Sequence, residues 1–192
     1  AITAYQQAIA LDPNLGRAYS GLAVVYANTG KRQEAEKYYS LALSHIDRMT
    51  DREKFRTRSG YYLLTRNQPK AVEELTALVS QYPADLAGRG NLALAYFYAR
   101  NMKEALEQQK QALALTPRSH IQRINFAMFA LYAGDFDTAS KEAKSILDEN
   151  PNFEQALRTL ALAALAVGHN DEARQDYERV KGLGTYGASI AA

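Results

Sequence analysis

Alanine recurs in register along this chain. Ala1, Ala35, Ala71, Ala105, Ala139 and Ala173 are spaced by 34, 36, 34, 34 and 34 residues. A second set of small residues, Ala23, Ser59, Ala93, Ala127 and Ala161, is spaced by 36, 34, 34 and 34. Pro13, Pro83, Pro117 and Pro151 follow at 70, 34 and 34. All three series absorb the same two-residue insertion between Ala35 and Ser59. A fixed period of this length marks one small supersecondary unit copied end to end. Such a unit cannot bury its apolar face alone, so copies must stack on their neighbours.

Each period holds two helical patterns. In "NLALAYFYARNMKEALEQQKQALALTP", Leu92, Ala93 and Tyr96 share one face, and Ala105, Gln109 and Ala112 share another after a break at Arg100-Asn101. Pro117 stops the second helix, because proline supplies no N–H and its ring clashes with the preceding turn. Other breaks carry Gly30, Gly134 or Gly168, suited to a left-handed helix end. Where glycine is missing, Asn67 and Asn101 stand one place later and are expected to take that conformation. The small residues let paired helices approach closely; Ala93 and Ala105 are expected at one such crossing, where Ala105→Leu overpacks by roughly 1–3 kcal/mol.

The pattern resembles the tetratricopeptide repeat (TPR). The match is fullest at Tyr19, Leu22, Ala23, Tyr26, Gly30, Ala35, Tyr39 and Ala42, and again at Leu157, Leu160, Ala161, Ala164, Gly168, Ala173, Tyr177 and Val180. Arg58 departs from the pattern's leucine, Arg89 and Arg123 from its first aromatic, and Gln109 from a later one. The resemblance covers about residues 1–181 and implies an all-α fold, a right-handed α-solenoid of stacked antiparallel helix pairs. We read residues 1–192 as a single array. Residues 1–13 form the second helix of a truncated repeat, full repeats span about 16–49, 52–85, 86–119, 120–153 and 154–181, and 182–192 form a loop and the start of a further truncated helix. A chain that begins halfway through a repeat is expected to be a piece of a longer protein.

Charge and motif content then exclude several functions. Lys and Arg number 23 against 21 Asp and Glu, too even for nucleic acid or an anionic membrane. The densest stretch, "SHIDRMTDREKFRTRSGYYLL", interleaves Asp47, Asp51 and Glu53 with its bases, and lacks a ladder of stacking aromatics. Thr50 and Glu53 form a capping box there, and the helix before it, lacking a closing proline, is expected to run longer. Without cysteine there are no disulfides or thiolate metal sites, and the compartment stays open. No apolar run reaches the roughly 18 residues needed to cross a bilayer. "GLGTYG", Gly182–Gly187, matches a phosphate-binding fingerprint, but that loop needs a strand before it. Here an amphipathic helix precedes, so Gly182 reads as a helix C-cap. His45, His120 and His169 lie in different repeats without metal-site spacing. We therefore expect no cofactor, no metal and no enzymatic activity.

A partner is expected along positions 2, 5, 9, 12 and 13 of each first helix, the stripe that lines the concave side of a stacked array. The residues assigned to this groove are Arg56, Asn91, Leu94, Tyr98, Ile121, Asn125, Met128, Tyr132, Arg158 and Leu162. Tyr98, Met128 and Tyr132 exceed what packing between neighbours needs, and an exposed apolar channel marks a binding surface. The TPR resemblance adds that asparagines near position 6, here Asn91 and Asn125, hydrogen-bond a bound peptide backbone. Against that resemblance, the set that grips a C-terminal carboxylate is incomplete, at Arg56, Gly60, Asn91, Ile121 and Asn125. The expected function is a protein-interaction scaffold for a peptide or protein segment. The alternative, from a looser likeness of "DREKFRTRSGYY", is a sensor arm of a bacterial serine/threonine kinase or winged-helix regulator. Self-association through the array's ends is a third reading.

Overall fold

The computed structural model describes residues 1–183. Within them lie eleven α-helices and no strand. They form two compact units, Ala1–Ala99 and Arg100–Ala192. The boundary falls inside the third repeat, in the turn between its two helices.

The first unit contains α1 (Ile2–Leu11), α2 (Gly16–Asn28), α3 (Arg32–Ser44), α4 (Asp51–Leu64), α5 (Gln68–Gln81) and α6 (Leu86–Tyr98). Consecutive helices pack on one another, and the first helices α2 and α4 also touch. Short connections between packed neighbours make them antiparallel. Ala23, Ala35, Ser59 and Ala71 are fully buried, whereas Ala1 is exposed. One core joins Ala71, Leu75 and Leu78 of α5 to Leu92 and Ala95 of α6, with Phe55 and Tyr62 packed against it.

The second unit contains α7 (Met102–Leu115), α8 (His120–Tyr132), α9 (Phe136–Glu149), α10 (Glu154–Ala166) and α11 (Asn170–Gly182). Ile124 and Ala127 of α8, Ala143 and Ile146 of α9, Leu157 of α10 and Val180 of α11 make one core. Ala130, Leu131, Ala139 and Ala163 make another. First helices α8 and α10 touch as α2 and α4 do.

The punctuation follows the prolines. Helices α1, α5, α7 and α9 each end two residues before Pro13, Pro83, Pro117 or Pro151, because the residue preceding proline is pushed out of the helical region. The turns between paired helices correct one expectation. Gly30, Gly134 and Gly168 do take positive φ, but the other two left-handed positions are Arg66 (φ 60°) and Arg100 (φ 65°), not Asn67 and Asn101. Asn67 instead caps α5, accepting from the Lys70 N–H at 3.4 Å. The repeat geometry thus fixes the backbone at this place whatever residue fills it.

The insertion corrects another. Helix α3 does not run on; it stops at Ser44, and the extra residues form a 3-10 turn over Ile46–Arg48. Met49 closes that turn, buried against Gly16, where an added Cβ would stand 2.6 Å from its methyl. The capping box is present: Thr50 Oγ1 accepts from the Glu53 N–H at 3.4 Å, and Glu53 accepts from the Thr50 N–H at 3.0 Å. Gly182 is the last residue of α11, and it does not take the left-handed conformation expected of a cap. The rest of "GLGTYG" and the expected start of a further helix lie outside the described residues.

Candidate binding site

In the first unit the stripe borders a cavity of about 300 Å³. Positions 2, 5 and 9 of α2 (Arg17, Ser20, Val24) and of α4 (Glu53, Arg56, Gly60) line it, with Ala87 and Asn91 of α6. The second helices contribute Tyr5 and Tyr39. Both tyrosines press on glycines: a Cβ at Gly21 would collide with the Tyr5 ring, and one at Gly60 with the Tyr39 hydroxyl. Glycine therefore holds the space open, and the tyrosines form its inner wall. The stripe was legible in the sequence, but their part was not, because their positions in the repeat read as packing.

Charge around this cavity is paired. Arg17 reaches Glu53 at 3.2 Å. Burial alone would raise the Glu53 carboxyl, but hydrogen bonds from Thr50 and the Arg17 charge outweigh it and hold it below the ordinary glutamate range. Arg56 is bidentate on Asp85, Nη2 to Oδ1 at 2.7 Å and Nε to Oδ2 at 3.0 Å. Arg52 adds 2.7 Å to the same carboxylate, which also caps α6 by accepting from the Gly88 N–H at 2.8 Å. Burial pushes the Asp85 carboxyl up, yet these hydrogen bonds together bring it below the ordinary aspartate value. Arg56 is thus engaged with its own chain. Asn91 is exposed, and among the described residues its side chain makes no hydrogen bond. Leu94 is half-buried, and Tyr98 is 51% exposed.

In the second unit the stripe is apolar. Ile121 is 58% exposed, Tyr132 53% and Leu162 37%, with Met128 half-buried between the first two along α8. Asn125 sits on the same helix, half-buried and without a side-chain hydrogen bond among the described residues. Arg158 pairs with Glu154 one turn away at 3.3 Å. Two stripe positions do not reach the surface: Ile124 at position 5 and Leu131 at position 12 belong to the cores.

The departures from the repeat pattern find partners elsewhere. Arg123, whose side chain is largely buried where the pattern has an aromatic, bonds Glu149 at 2.6 Å, Ser145 at 2.6 Å and Glu142 at 3.5 Å, tying α8 to α9. Arg58 of α4 faces Glu74 of α5 at 3.7 Å, and Arg89 donates to the Pro83 carbonyl at 2.8 Å. Gln109 is fully buried and donates to the Gln122 carbonyl and side chain at 3.1 and 2.8 Å. Among the described residues no group of three or more His, Asp or Glu is placed to hold a metal. None of their helices is long and apolar enough to cross a membrane.

Comparison with known proteins agrees with this architecture. Family models described as TPR repeat or tetratricopeptide repeat match residues 1–30, 86–118 and 125–188. A search of curated protein sequences finds no match. Among solved structures, the thermophilic TPR protein TTC0263 of Thermus thermophilus is similar at 21% identity, over 88% of this chain and 91% of its own, with a TM-score of 0.72. The Cut9 and Hcn1 hetero-tetramer of APC/C is similar at 18% identity, over 99% of this chain and 38% of the matched one, TM-score 0.76. YrrB, a TPR protein with an unusual peptide-binding site, is similar at 15% identity over 100% and 98%, TM-score 0.63. With 34-residue periodicity, paired helices in sequence order and three matching repeat models, the chain belongs to the tetratricopeptide-repeat family.

Proposed function

We propose that the chain is a non-enzymatic interaction module that binds a segment of another protein along the stripe of its first helices. One observation carries this reading most directly. Asn91 and Asn125 hold equivalent positions 34 residues apart, and neither engages its amide with the chain's own groups among the described residues. A helix asparagine that served local structure would bond a neighbouring turn. Each unit therefore offers an unengaged amide and exposed apolar side chains on its own stripe, Asn91 and Tyr98 in the first and Asn125, Ile121, Tyr132 and Leu162 in the second, for backbone hydrogen bonding and apolar contact with a bound segment. Peptide binding by YrrB, a protein of similar fold, supports the same assignment. The likeness there is at 15% identity, so the residues named here rest on this chain's own geometry.

The test is capture of binding proteins from the source lysate by the wild-type chain and by the Tyr98→Ala, Tyr132→Ala double variant. Both tyrosines are about half exposed, so the variant should keep the wild-type melting temperature within about two degrees. It should lose the captured partner by about tenfold or more. Undiminished capture by a folded double variant would move the site off the stripe.

A further inference from the structure

The cavity in the first unit has a chemistry of its own. Tyr39 is only 4% exposed, yet it lines the cavity, and among the described residues its hydroxyl has no hydrogen-bond partner. Burial pushes the phenol up to about 12, so it stays protonated and able to donate across the physiological range. The ring is buried but the hydroxyl opens into the cavity, where water serves it until a ligand brings an acceptor. Asn91, which also lines the cavity, offers both a donor and an acceptor. Ser20 already accepts from Thr57 at 3.1 Å and keeps its own hydroxyl proton to donate.

The charged side chains bordering the cavity cancel. Arg17 is paired with Glu53, and Arg56 is held on both oxygens by Asp85. With their counter-ions in place, neither the carboxylates nor the guanidinium groups offer an unpaired charge to an entering ammonium or carboxylate. The unengaged groups are neutral, and they are donors with one acceptor. A primary carboxamide matches that set: its carbonyl can accept from the Tyr39 hydroxyl, and its NH₂ can donate to the Asn91 side-chain oxygen. About 300 Å³ is the low end of the range for ligand pockets and suits one such side chain.

We propose that this cavity is a subsite for a glutamine or asparagine side chain of the bound segment; this deepens the groove reading and rests on it. The test is an NMR titration of the whole chain with three capped pentapeptides, Ac-Gly-Ala-Xaa-Ala-Gly-NHCH₃, with Gln, Glu or Lys at the centre, so that only the Gln side chain carries a primary carboxamide. The Gln peptide should move the Gly60 amide and the Asn91 side-chain amide saturably, with a Kd about fivefold below those of the Glu and Lys peptides. Tyr39→Phe, which keeps the ring, should abolish that preference. If it does not fold, Asn91→Ala at its exposed position should weaken the Gln peptide more than the Glu and Lys peptides, beyond the loss that all three share through the backbone contact. A Glu peptide that binds as tightly as the Gln peptide overturns the carboxamide assignment while leaving the groove in place. If no peptide moves Gly60 or Asn91, the subsite itself is overturned, and the tyrosine double variant still decides the groove independently.

Discussion

The two units solve one packing problem with different side chains. Ten of the thirteen tyrosines lie in residues 1–99, where Tyr19, Tyr26, Tyr38 and His45 stack at 5.3 to 6.5 Å around α2 and α3. The first unit also buries Thr57, Ser59 and Asp85, and it gathers Arg52 and Arg56 on one carboxylate. The second unit buries Gln109 and Thr159 as well, and aliphatic Ile124, Ile146, Leu157 and Val180 share one of its cores. On its stripe the second unit exposes Ile121, Tyr132 and Leu162, whereas the first mixes exposed Val24 and Tyr98 with Arg17 and Asn91. The repeat therefore dictates where small residues and turns go, and leaves the chemistry of each face free to differ.

The comparison breaks hardest at Asp85. This carboxylate caps α6 and neutralises two arginines, and among the described residues the second unit has no counterpart. Asp85→Ala removes a cap and leaves two guanidinium groups without their partner, so we expect a loss of about 2–4 kcal/mol. Hydrogen exchange should report that loss on α4 and α6 amides and leave α8 to α10 protected. In the second unit the vulnerable point is a small residue instead. Ala139 is fully buried within an aliphatic core, and Ala139→Leu should overpack it by roughly 1–3 kcal/mol. Equal loss of protection in both units for either variant would erase the distinction between them.

These differences also explain what could be read from the sequence. Small residues in register, prolines and the capping box state backbone requirements, and the 34-residue period made them visible. Helix pairing, the core alanines and the lining of the first cavity by positions 2, 5 and 9 followed from them. Interactions between residues distant in sequence did not. Arg56 looked like a partner anchor because its ion pair with Asp85 spans 29 residues. Arg123 looked like a weakened repeat because Glu142 and Glu149, which compensate it, lie on the next helix. Ile124 and Leu131 looked like groove residues because position in the repeat fixes a direction along the helix, not how deep the neighbouring helix sits. Tyr39 looked like packing because the place of its hydroxyl is defined by Gly60 on another helix.

A smaller effect should come from exchanging the turn residues. Arg66 and Gly134 hold the same place in the repeat, at φ 60° and 84°. A residue with a Cβ in this conformation costs roughly 1–2 kcal/mol, and glycine avoids that cost while adding freedom to the unfolded chain. Arg66→Gly should therefore stabilise by about 0.5–1 kcal/mol, and Gly134→Ala should destabilise by a similar amount. An Arg66→Gly variant with a lower urea midpoint would mean that the arginine side chain contributes a contact larger than its backbone strain.

The smallest expected effect is the pH response, and its sign separates the carboxylates. Asp85 and Glu53 have folded pKa values below their ordinary ones. Their contribution is fully present above the unfolded values, about 3.9 and 4.3, and is lost as pH falls through the lower folded values. Glu74 runs the other way: burial raises it, and the Arg58 charge does not fully offset that. Its contribution favours the folded state in acid and fades as pH rises through the raised value. Two lowered groups oppose one raised group, so the first unit should soften on acidification below about pH 4. Asp85→Asn keeps an oxygen to cap α6 but cannot titrate. The gap in urea midpoint between wild type and Asp85→Asn should be wider at neutral pH and narrow as pH falls below the ordinary aspartate value and through the lowered folded one. A gap that stays constant would show that Asp85 acts as a cap alone, and that its two arginines add no net stability through charge.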